Sequence, residues 1–400
     1  MAEESSLEDS DIVNRQFHSV RDSIGASRTE LFIAVLLIGI YFYFRLTGQL
    51  VSLVMVLGML MGTWLAFRPS EWAVDGIESI SGHLRFSAYI AGMLTSLASN
   101  LPEAVISFFM AFEGFTTANA ELLDIAILSV LVAAGFNMLL LGLTIVISTR
   151  KKAEMLVPKE VVRKDTVLIR WTIVALLSMF ALGIIALAVA EIPSGTVPGR
   201  ELKFPSWAAL MLFLSYLIYA GDLARDTDSK KKDIAKASHS KRSAAVLWTA
   251  GFIGIFFAGE MLTESVNILL ETQHDVVSAI ADPVTISALI LGAAGALPEH
   301  GIAVIAALRG KIGLAVGNLI GGVLQIVLLV MGGIGMFVLI PLDIYVLFQI
   351  VVIAGSLWFL KRAITDDEKL DTFEGMMIIL LQVYVFILML TGLPIVYGGG

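Results

Sequence analysis

Two Leu-Pro-Glu triplets, each inside a long apolar stretch, carry the residues best suited to chemistry in this sequence. Leu101-Pro102-Glu103 and Leu297-Pro298-Glu299 lie in corresponding places of the two halves of the chain. A carboxylate inside a hydrocarbon-length segment costs about 3 kcal/mol on insertion scales, so a matched pair indicates a site. A second apolar helix follows each triplet and carries one amide side chain, Asn137 in the first half and Gln325 in the second.

The prolines of the triplets predict a break in each helix beside the glutamate. Proline cannot donate a backbone hydrogen bond, and its ring clashes with the preceding turn. We therefore expect freed carbonyl groups near Ser99 and Asn100 in the first half, and near Gly295 and Ala296 in the second. Inside a membrane such groups are tolerated where they line a cavity or are otherwise satisfied.

Glu103, Glu299, Asn137, Gln325 and the freed carbonyls together predict an oxygen-rich cation site. Ca²⁺ suits it because this ion takes roughly 6–8 oxygen ligands in forgiving geometry. Zn²⁺ prefers nitrogen or sulfur ligands, and Mg²⁺ keeps its waters. When such a site is empty, two neighbouring buried carboxylates cannot both stay ionised, so protons or another cation must enter. The residues therefore predict a site that releases Ca²⁺ in exchange for H⁺ or Na⁺.

The composition of the chain is that of a membrane protein. Of its 400 residues, 57% are hydrophobic and only 16% are charged, whereas a soluble domain has about a quarter charged residues. Many windows exceed the roughly 20 apolar residues that cross a bilayer as a helix. The sequence therefore predicts an all-α polytopic membrane protein with the lipid bilayer as a partner. Because there is no cysteine, disulfides and thiolate metal sites are excluded.

Hydropathy predicts eleven transmembrane helices. The predicted spans are 30–48, 50–67, 84–113, 122–148, 165–190, 206–221, 244–270, 280–308, 312–340, 343–361 and 373–396. The chain is thereby divided into a polar tail (1–29), an extra helix (30–48), a first unit (50–221), a loop (222–243) and a second unit (244–396). The loop is rich in Lys, Asp and Ser and is typical of a mobile linker.

The distribution of Lys and Arg predicts the orientation of the spans. With the N-terminus in the cytoplasm and eleven spans, only Arg45, Arg200 and Lys203 fall outside, and all other loops with basic residues lie inside. Cytoplasmic loops are the ones that collect Lys and Arg. We therefore expect a cytoplasmic N-terminus, an external C-terminus, and a location in a prokaryotic plasma membrane.

The two units form an internal repeat. Spans 2–6 can be laid over spans 7–11, with the two triplets in register and Ala126–Gly142 matched to Ala315–Gly332. Because five spans is an odd number, the second unit enters the membrane from the opposite side. This is an inverted-topology repeat, and its binding site is expected near the membrane midplane.

The motifs of both repeats resemble the cation/calcium exchanger superfamily of membrane antiporters. Leu101-Pro102-Glu103-Ala104 and Leu297-Pro298-Glu299-His300 are similar to the Pro-Glu signatures of the family, and Phe136-Asn137 to the Phe-Asn of its sodium-coupled branch. The resemblance implies the ten-span inverted-repeat fold, calcium transport, and calcium-ligand roles for Glu103, Asn137 and Glu299.

The second repeat resembles the proton/calcium branch more closely. Glu299-His300, Gly321 and Gln325-Ile326 match that branch, as does the extra first span. Val132-Ala133 and Gly321-Gly322 stand where the family has Gly-Ser, so many hydroxyls that sodium sites need are missing. The resemblance thus favours H⁺/Ca²⁺ exchange over Na⁺/Ca²⁺ exchange. The acidic helix of the proton branch is absent from the loop 222–243, and a strict alignment pairs Asn137 with Ile326 instead of Gln325.

Several residues have two interpretations each. His300 either forms a structural hydrogen bond, which we favour, or relays protons. Asn137 and Gln325 are calcium ligands or interhelical hydrogen-bond partners. Glu71, Glu260 and Glu264 either line an ion path or seal helix ends. The accessory candidates for the site are Ser99, Asn100, Gly295, His300, Asn318 and Glu260.

The alternatives to a proton-coupled antiporter are a sodium-coupled one, a divalent-cation channel and an intramembrane metalloenzyme. The metalloenzyme is disfavoured because His-Glu-x-x-His is absent and His300 is the only histidine within a predicted span. We therefore expect a transporter and not an enzyme. We expect transported cations as partners and no nucleic acid, and we leave a homo-oligomer open.

Overall fold

The computed structural model describes residues 27–86, 88–150, 154–157, 161–190, 203–225, 237–272, 281–308, 312–342 and 344–391. The predicted tail 1–29 lies outside these residues except for its last three, as does 226–236 of the predicted loop. The helices of the first half are α1 (Arg28–Thr47), α2 (Val51–His83), α3 (Ala88–Ser99), α4 (Leu101–Thr117), α5 (Ala120–Thr149), α6 (Thr166–Ala190, preceded by a π-helical turn at Val161–Asp165) and α7 (Ser206–Arg225). Those of the second half are α8 (Lys241–Thr272), α9 (Pro283–Leu308), α10 (Ile312–Gln325), a π-helix (Ile326–Met331), α11 (Gly332–Phe337), α12 (Ile344–Asp367) and α13 (Thr372–Thr391).

The all-α membrane fold predicted from the sequence is confirmed. In the described part of the chain, eight helices are long and apolar enough to cross a membrane, and shorter apolar helices occur at Ser206–Asp222 and Pro283–Leu297. The helical segments follow the order of the predicted spans, while the count of eleven stays a prediction. The helix α5 is buried over most of its circumference, as expected for a helix that is apolar on all sides.

The helix α2 runs much further than the predicted span 50–67. It passes through Pro69 and ends at His83. Pro69 is accommodated because the facing position on α8 is Gly254, where an added Cβ would meet the Pro69 Cβ at 2.5 Å. The helix thus continues beyond the predicted span 50–67, and a glycine on the facing helix leaves room for the proline ring.

Close glycine contacts join α2 and α8 along their length. An added Cβ at Gly62 would lie 2.7 Å from the Leu262 side chain, and one at Gly76 would lie 2.5 Å from the backbone nitrogen of Trp248. From α8, a Cβ at Gly251 would lie 2.5 Å from the backbone nitrogen of Ala73. Backbones that approach this closely are typical of membrane helix pairs with small residues at the interface.

Two short β-ribbons connect the two halves of the molecule. β1 (Glu154–Leu156) pairs antiparallel with β4 (Lys369–Asp371), and β2 (Lys203–Phe204) pairs antiparallel with β3 (Ile340–Pro341). Each ribbon takes one strand from each half. The sequence did not indicate these strands, because two or three residues are too few for a visible alternation.

Candidate functional site

The predicted helix break is present in the first repeat. α3 ends at Ser99 and α4 begins at Leu101, with Asn100 between them at φ −91° and ψ 7°. The carbonyl of Ser96, in the last turn of α3, accepts hydrogen bonds from Asn100 Nδ2 at 2.9 Å and Ser99 Oγ at 2.8 Å. The Asn100 carbonyl accepts from the Ala104 amide at 3.2 Å. The side chains of Ser99 and Asn100 therefore bond to a backbone carbonyl next to the break.

The predicted break in the second repeat is not observed. α9 is continuously helical from Pro283 to Leu308 and passes through Pro298. A proline removes one hydrogen bond while its φ suits a helix, so tight packing can hold the helix together. Such packing is present one turn earlier, where a Cβ at Gly295 would lie 2.8 Å from Glu103 Cγ and a Cβ at Gly292 would lie 2.6 Å from Val132 Cγ1. The break expected near Gly295 and Ala296 is thus a wrong prediction, although Pro298 still leaves the carbonyl of Ala294 without its usual amide donor.

Glu103 is buried beside the first break. It is only 3% exposed, and neither carboxylate oxygen has a hydrogen-bond partner among the described residues. The nearest basic group recorded is His300, whose Nε2 lies 3.9 Å from Glu103 Oε1. Glu103 occupies the third position of α4, where the positive end of the helix dipole favours a negative charge. An unpartnered buried carboxylate is costly, and a bound cation would remove that cost.

A hydrogen-bonded network joins the two repeats next to Glu103. Gln325 Oε1 accepts from Asn100 Nδ2 at 2.5 Å and from Ser96 Oγ at 3.3 Å. On its other side, Asn100 Oδ1 lies 3.3 Å from His300 Nε2. Asn100, His300 and Gln325 are all buried. The predicted structural hydrogen bond of His300 is thus present, and Ser96 is a member of the network that sequence reasoning missed.

Asn137 approaches the same place from α5. It is fully buried, and within the described part of the chain neither its amide nitrogen nor its amide oxygen has a partner. Gly322 makes this approach possible, since an added Cβ there would lie 3.0 Å from Asn137 Nδ2 and 2.9 Å from His300 Cε1. Unpaired buried polar atoms of Glu103, Asn137 and His300 thus surround one spot, where a ligand or water would satisfy them.

For the second glutamate, Glu299, the structure describes only the backbone. Glu299 lies in α9 directly before His300, and its side chain lies outside the described part of the structure. The predicted pairing of Glu103 with Glu299 therefore stays a prediction. Among the described residues, no three His, Cys, Asp or Glu side chains gather as a metal site. A calcium site here would need amide or carbonyl oxygens besides its carboxylates.

The remaining candidates lie apart from this network. Glu260 is in an ion pair with Arg45 of α1 at 2.8 Å, and Glu264 lies 3.6 Å from the same guanidinium group. Glu71 pairs with Arg68 at 2.8 Å. Asn318 lies on α10, seven residues before Gln325. Glu260 and Glu264 thus connect α8 to α1, whereas Glu71 and Arg68 both lie on α2. Among the described residues, no hydrogen bond or ion pair joins these acidic side chains to the buried network.

Two equivalent contacts between the repeats border the site. Ser96 of the first repeat faces Gly321 of the second, with 3.4 Å from Ser96 Oγ to the Cβ position of Gly321. In the other direction, Gly292 of the second repeat faces Val132 of the first. In the first contact the larger side chain is Ser96 on α3, facing a glycine of α10. In the equivalent second contact the larger side chain is Val132 on α5, facing a glycine of α9. Val132 and Gly321 themselves offer no hydroxyl group at these two contacts.

Comparisons with known proteins place the chain by family and by fold. The family model for sodium/calcium exchanger proteins matches residues 50–221 and 243–393. The native YfkE structure has a TM-score of 0.64 at 18% identity, over 90% of this chain and 99% of that one. An H⁺/Ca²⁺ exchanger CAX structure has a TM-score of 0.64 at 17% identity, covering 91% and 93%. A structure of the sodium–calcium exchanger NCX_Mj has a TM-score of 0.57 at 20% identity, covering 85% and 99%. Comparison with curated protein sequences gives no match.

Proposed function

Because this chain belongs to the sodium/calcium exchanger family of integral membrane antiporters, we propose that it moves Ca²⁺ in exchange for H⁺. The observation that carries the proposal is Glu103, a buried carboxylate without a hydrogen-bond partner among the described residues. Such a group must hold a proton or a cation, since an isolated charge in a low-dielectric interior is too costly. Proton binding and calcium binding then exclude each other at one place, and this exclusion couples the two fluxes.

We assign the calcium-ligand roles to Glu103, Asn137, Glu299 and Gln325. Asn137 supports the assignment because its amide oxygen is buried and unpaired in the described structure. Gln325 Oε1 accepts from both Asn100 and Ser96, so it must give up one of these hydrogen bonds when it binds a cation. The calcium ion is the cargo here, and alternating access would expose this place to one side of the membrane at a time.

Protons are favoured over sodium by the neutral groups of the site. Ser99 Oγ donates to a carbonyl of its own helix, and Ser96 Oγ donates to Gln325. Val132-Ala133 and Gly321-Gly322 offer no hydroxyl in the places that face these residues. A sodium site needs several neutral oxygens, whereas a proton needs only a carboxylate. The unpaired amide of Asn137 supports sodium coupling, the second candidate, as do the buried hydroxyls of Ser107 and Ser129 on the helices of Glu103 and Asn137.

We also propose that the N-terminus lies in the cytoplasm and the C-terminus outside. The ribbons support the assignment of loops to the two sides of the membrane on which this orientation rests. Both strands of the first ribbon, 154–156 and 369–371, fall in loops that the Lys and Arg pattern places inside. Both strands of the second, 203–204 and 340–341, fall in loops that it places outside.

The test is the dependence of calcium flux on the counter-ion. In liposomes containing the purified chain, we expect Ca²⁺ uptake driven by an inside-acid pH gradient without sodium. Uptake that needs a sodium gradient and ignores pH would replace protons by sodium. Flux that persists with neither gradient would indicate a channel. Either of these two results contradicts the proposal.

The same assay tests Glu103. Glu103→Gln removes the charge that binds either cation and should abolish exchange while the protein stays folded. Glu113→Gln, on the last turns of the same helix α4, is the matched control and should keep wild-type exchange. Calcium at about 100 times its Kd should stabilise the wild type by roughly 2.7 kcal/mol in thermal unfolding. The Glu103→Gln variant should lose this stabilisation.

A further inference from the structure

The second half of α5, from Asn137 to Thr149, carries a row of polar side chains that extends beyond the candidate site. Thr144 and Ser148 follow Asn137 by seven and eleven residues. At about 100° per residue, both lie within about 20° of the direction of Asn137 around the helix axis. The side-chain oxygens of all three are buried and have no hydrogen-bond partner among the described residues. The unpaired groups of the candidate site thus continue along one face of α5.

The two hydroxyl groups of this row differ from other buried hydroxyl groups nearby. Thr149 on α5 donates to the Ile145 carbonyl at 2.8 Å, and Thr172 on α6 donates to the Leu168 carbonyl at 2.9 Å. A bond to the carbonyl four residues earlier satisfies a threonine inside a helix. Thr144 is fully buried and makes no such bond. Because a buried hydroxyl group without a partner is costly, this position calls for a water molecule or another ligand.

Toward the other end of α5 the same face is apolar. Val130 and Ala126 precede Asn137 by seven and eleven residues, and both are fully buried. The equivalent row of the second repeat is apolar too, since Ile334 and Val338 stand in the corresponding places when the glycines that end the two matched segments are aligned. The polar row therefore leads from the site toward one side only, the side on which α5 is followed by the first ribbon.

Asn318 of α10 supplies a further polar group beside this row. The helices α5 and α10 are antiparallel, because α5 leads to the first ribbon whereas α11, which continues α10, leads to the second. Gly322 of α10 lies against Asn137, and Asn318 precedes Gly322 by four residues, on the same face of its helix. Asn318 is therefore level with the stretch of α5 between Asn137 and Thr144, and it is half-buried.

We infer that Asn137, Asn318, Thr144 and Ser148 line a file of water molecules, which connects the candidate site to the side of the first ribbon. Along α5 the row is about 16 Å long at 1.5 Å per residue, a length that several hydrogen-bonded waters span. A buried water makes about three hydrogen bonds, and the unpaired oxygens of the row provide them.

The file of waters gives protons a route to the candidate site. Glu103 and Asn137 surround the spot at which the file ends, so a proton that moves along the waters reaches the unpartnered carboxylate. This use by protons rests on the proposed function, whereas the file itself does not depend on which ion is exchanged. The two parts are therefore tested by separate measurements.

Thiol accessibility tests the file without any transport measurement. The chain has no cysteine, so Thr144→Cys and Ser148→Cys each carry a single thiol. Silver ions are small enough to follow a file of waters, and they react with ionised thiols. They are added to membrane vesicles that contain the full chain, and the thiols left free are counted by maleimide labelling after denaturation. Both variants should react rapidly, and faster in vesicles that expose the first ribbon to the reagent.

Two control positions on α5 define what rapid means. Val130→Cys places a thiol at the other end of the same face, and Ile145→Cys places one directly beside Thr144 on a different face. Both positions are fully buried. Thr144→Cys and Ser148→Cys should react at least tenfold faster than either control. Equal rates in all four variants would overturn the proposal.

Removing the hydroxyl groups tests whether protons use the file. Thr144→Val/Ser148→Ala nearly keeps the side-chain volume, and we expect calcium exchange driven by a pH gradient to slow at least fivefold. The calcium concentration at half-maximal rate should stay within twofold of the wild type, because the proposed ligands are untouched. Thr144→Ser, which keeps a hydroxyl group, should retain most of the exchange rate. Thr172→Val removes a buried hydroxyl group that is bonded to its own helix, and as the matched control it should leave exchange unchanged.

The outcomes separate the file from the proposed function. Wild-type exchange in Thr144→Val/Ser148→Ala would contradict the proton route even if the thiols react rapidly. If the wild type showed no calcium exchange at all, the proposed function would fail, and the thiol reaction rates would still decide whether the file exists.

Discussion

Gly295 determines how closely the two repeats approach each other at Glu103. The Glu103 side chain lies directly on this residue of α9, with Cγ 2.8 Å and Cδ 3.3 Å from the position of an added Cβ. The unpartnered carboxylate is therefore held by van der Waals contact, because no hydrogen bond to its oxygens is present among the described residues. Any side chain at 295 must displace the carboxyl group or move α9 away from α4.

A methyl group at this position should weaken calcium binding. Forcing an extra methyl group into a packed interior costs about 1–3 kcal/mol of folding stability, and the displaced carboxyl group would no longer lie where a cation meets it. We expect Gly295→Ala to lower calcium affinity severalfold in calcium titrations of the purified protein. Gly321→Ala is the control, because its Cβ would lie at an ordinary 3.4 Å from Ser96 Oγ. Equal effects in the two variants would argue against a specific role for the Gly295 contact.

The residues of the candidate site differ in how far the sequence could predict them. Asn137, Gln325 and the two glutamates were found because a polar side chain stands out in an apolar helix. Ser96 was missed because serine is unremarkable in a membrane helix, and only the approach of Gln325 from the other repeat gives it a role. A structural hydrogen bond was predicted for His300, but the sequence did not indicate that its neighbours would be Asn100 and Glu103 of the opposite repeat.

At the level of helices, the π-helix after Gln325 explains an irregularity of the repeat. The segment Ala315–Gly332 is one residue longer than its counterpart Ala126–Gly142. A π-helical turn accommodates one extra residue within a helix, and here it spans Ile326–Met331. The two glycines at the ends then play equivalent roles. A Cβ at Gly142 would lie 2.8 Å from the Gly375 carbonyl oxygen of α13, and one at Gly332 would lie 2.8 Å from the Phe213 nitrogen of α7.

The helices themselves follow from local sequence, but their continuity does not. Hydrophobic length is sufficient to place α1, α5 and the other long spans. Whether a helix continues through a proline depends on its neighbours, since α3 and α4 separate before Pro102 whereas α2 and α9 pass through Pro69 and Pro298. The partner that packs on Pro69 is Gly254, and the groups that pack on α9 before Pro298 are Val132 and Glu103; all three are far away in sequence from the proline concerned, so the sequence around each proline does not identify them.

The interface between α2 and α8 should be sensitive to one methyl group. In Gly251→Ala the new Cβ would lie 2.5 Å from the Ala73 nitrogen, and backbone cannot move aside cheaply, so we expect a loss of about 1–3 kcal/mol. Gly39→Ala on α1 is the control, because within the described structure nothing lies within 4 Å of its Cβ position. Alanine there should be neutral or stabilise by up to about 1 kcal/mol through helix propensity. Thermal unfolding in detergent compares the two, and similar melting temperatures would contradict the expectation.

At the scale of the whole molecule, several kinds of contact join the two inverted repeats. Glycine contacts join α2 to α8, the Asn100–Gln325 network joins the repeats at the candidate site, and a ribbon joins them at each end. The fold and its inverted repeat could be predicted from the two triplets and the spacing of the spans. The ribbons and the network could not, because they depend on backbone and side chains that meet only after both repeats have folded.

The strand partnership of the ribbons has a consequence for biogenesis. Each half of the chain contributes one strand to each ribbon. A half produced by itself would therefore leave its two strands unpaired, and α2 and α8 would be separated. We expect the fragments 1–230 and 231–400 to aggregate or be degraded when expressed separately, and to assemble into a calcium-transporting complex when expressed together. Size-exclusion chromatography of the co-purified fragments checks this fragment complementation. A stable, monodisperse half would mean that each repeat is an autonomous folding domain and that the ribbons form only after assembly.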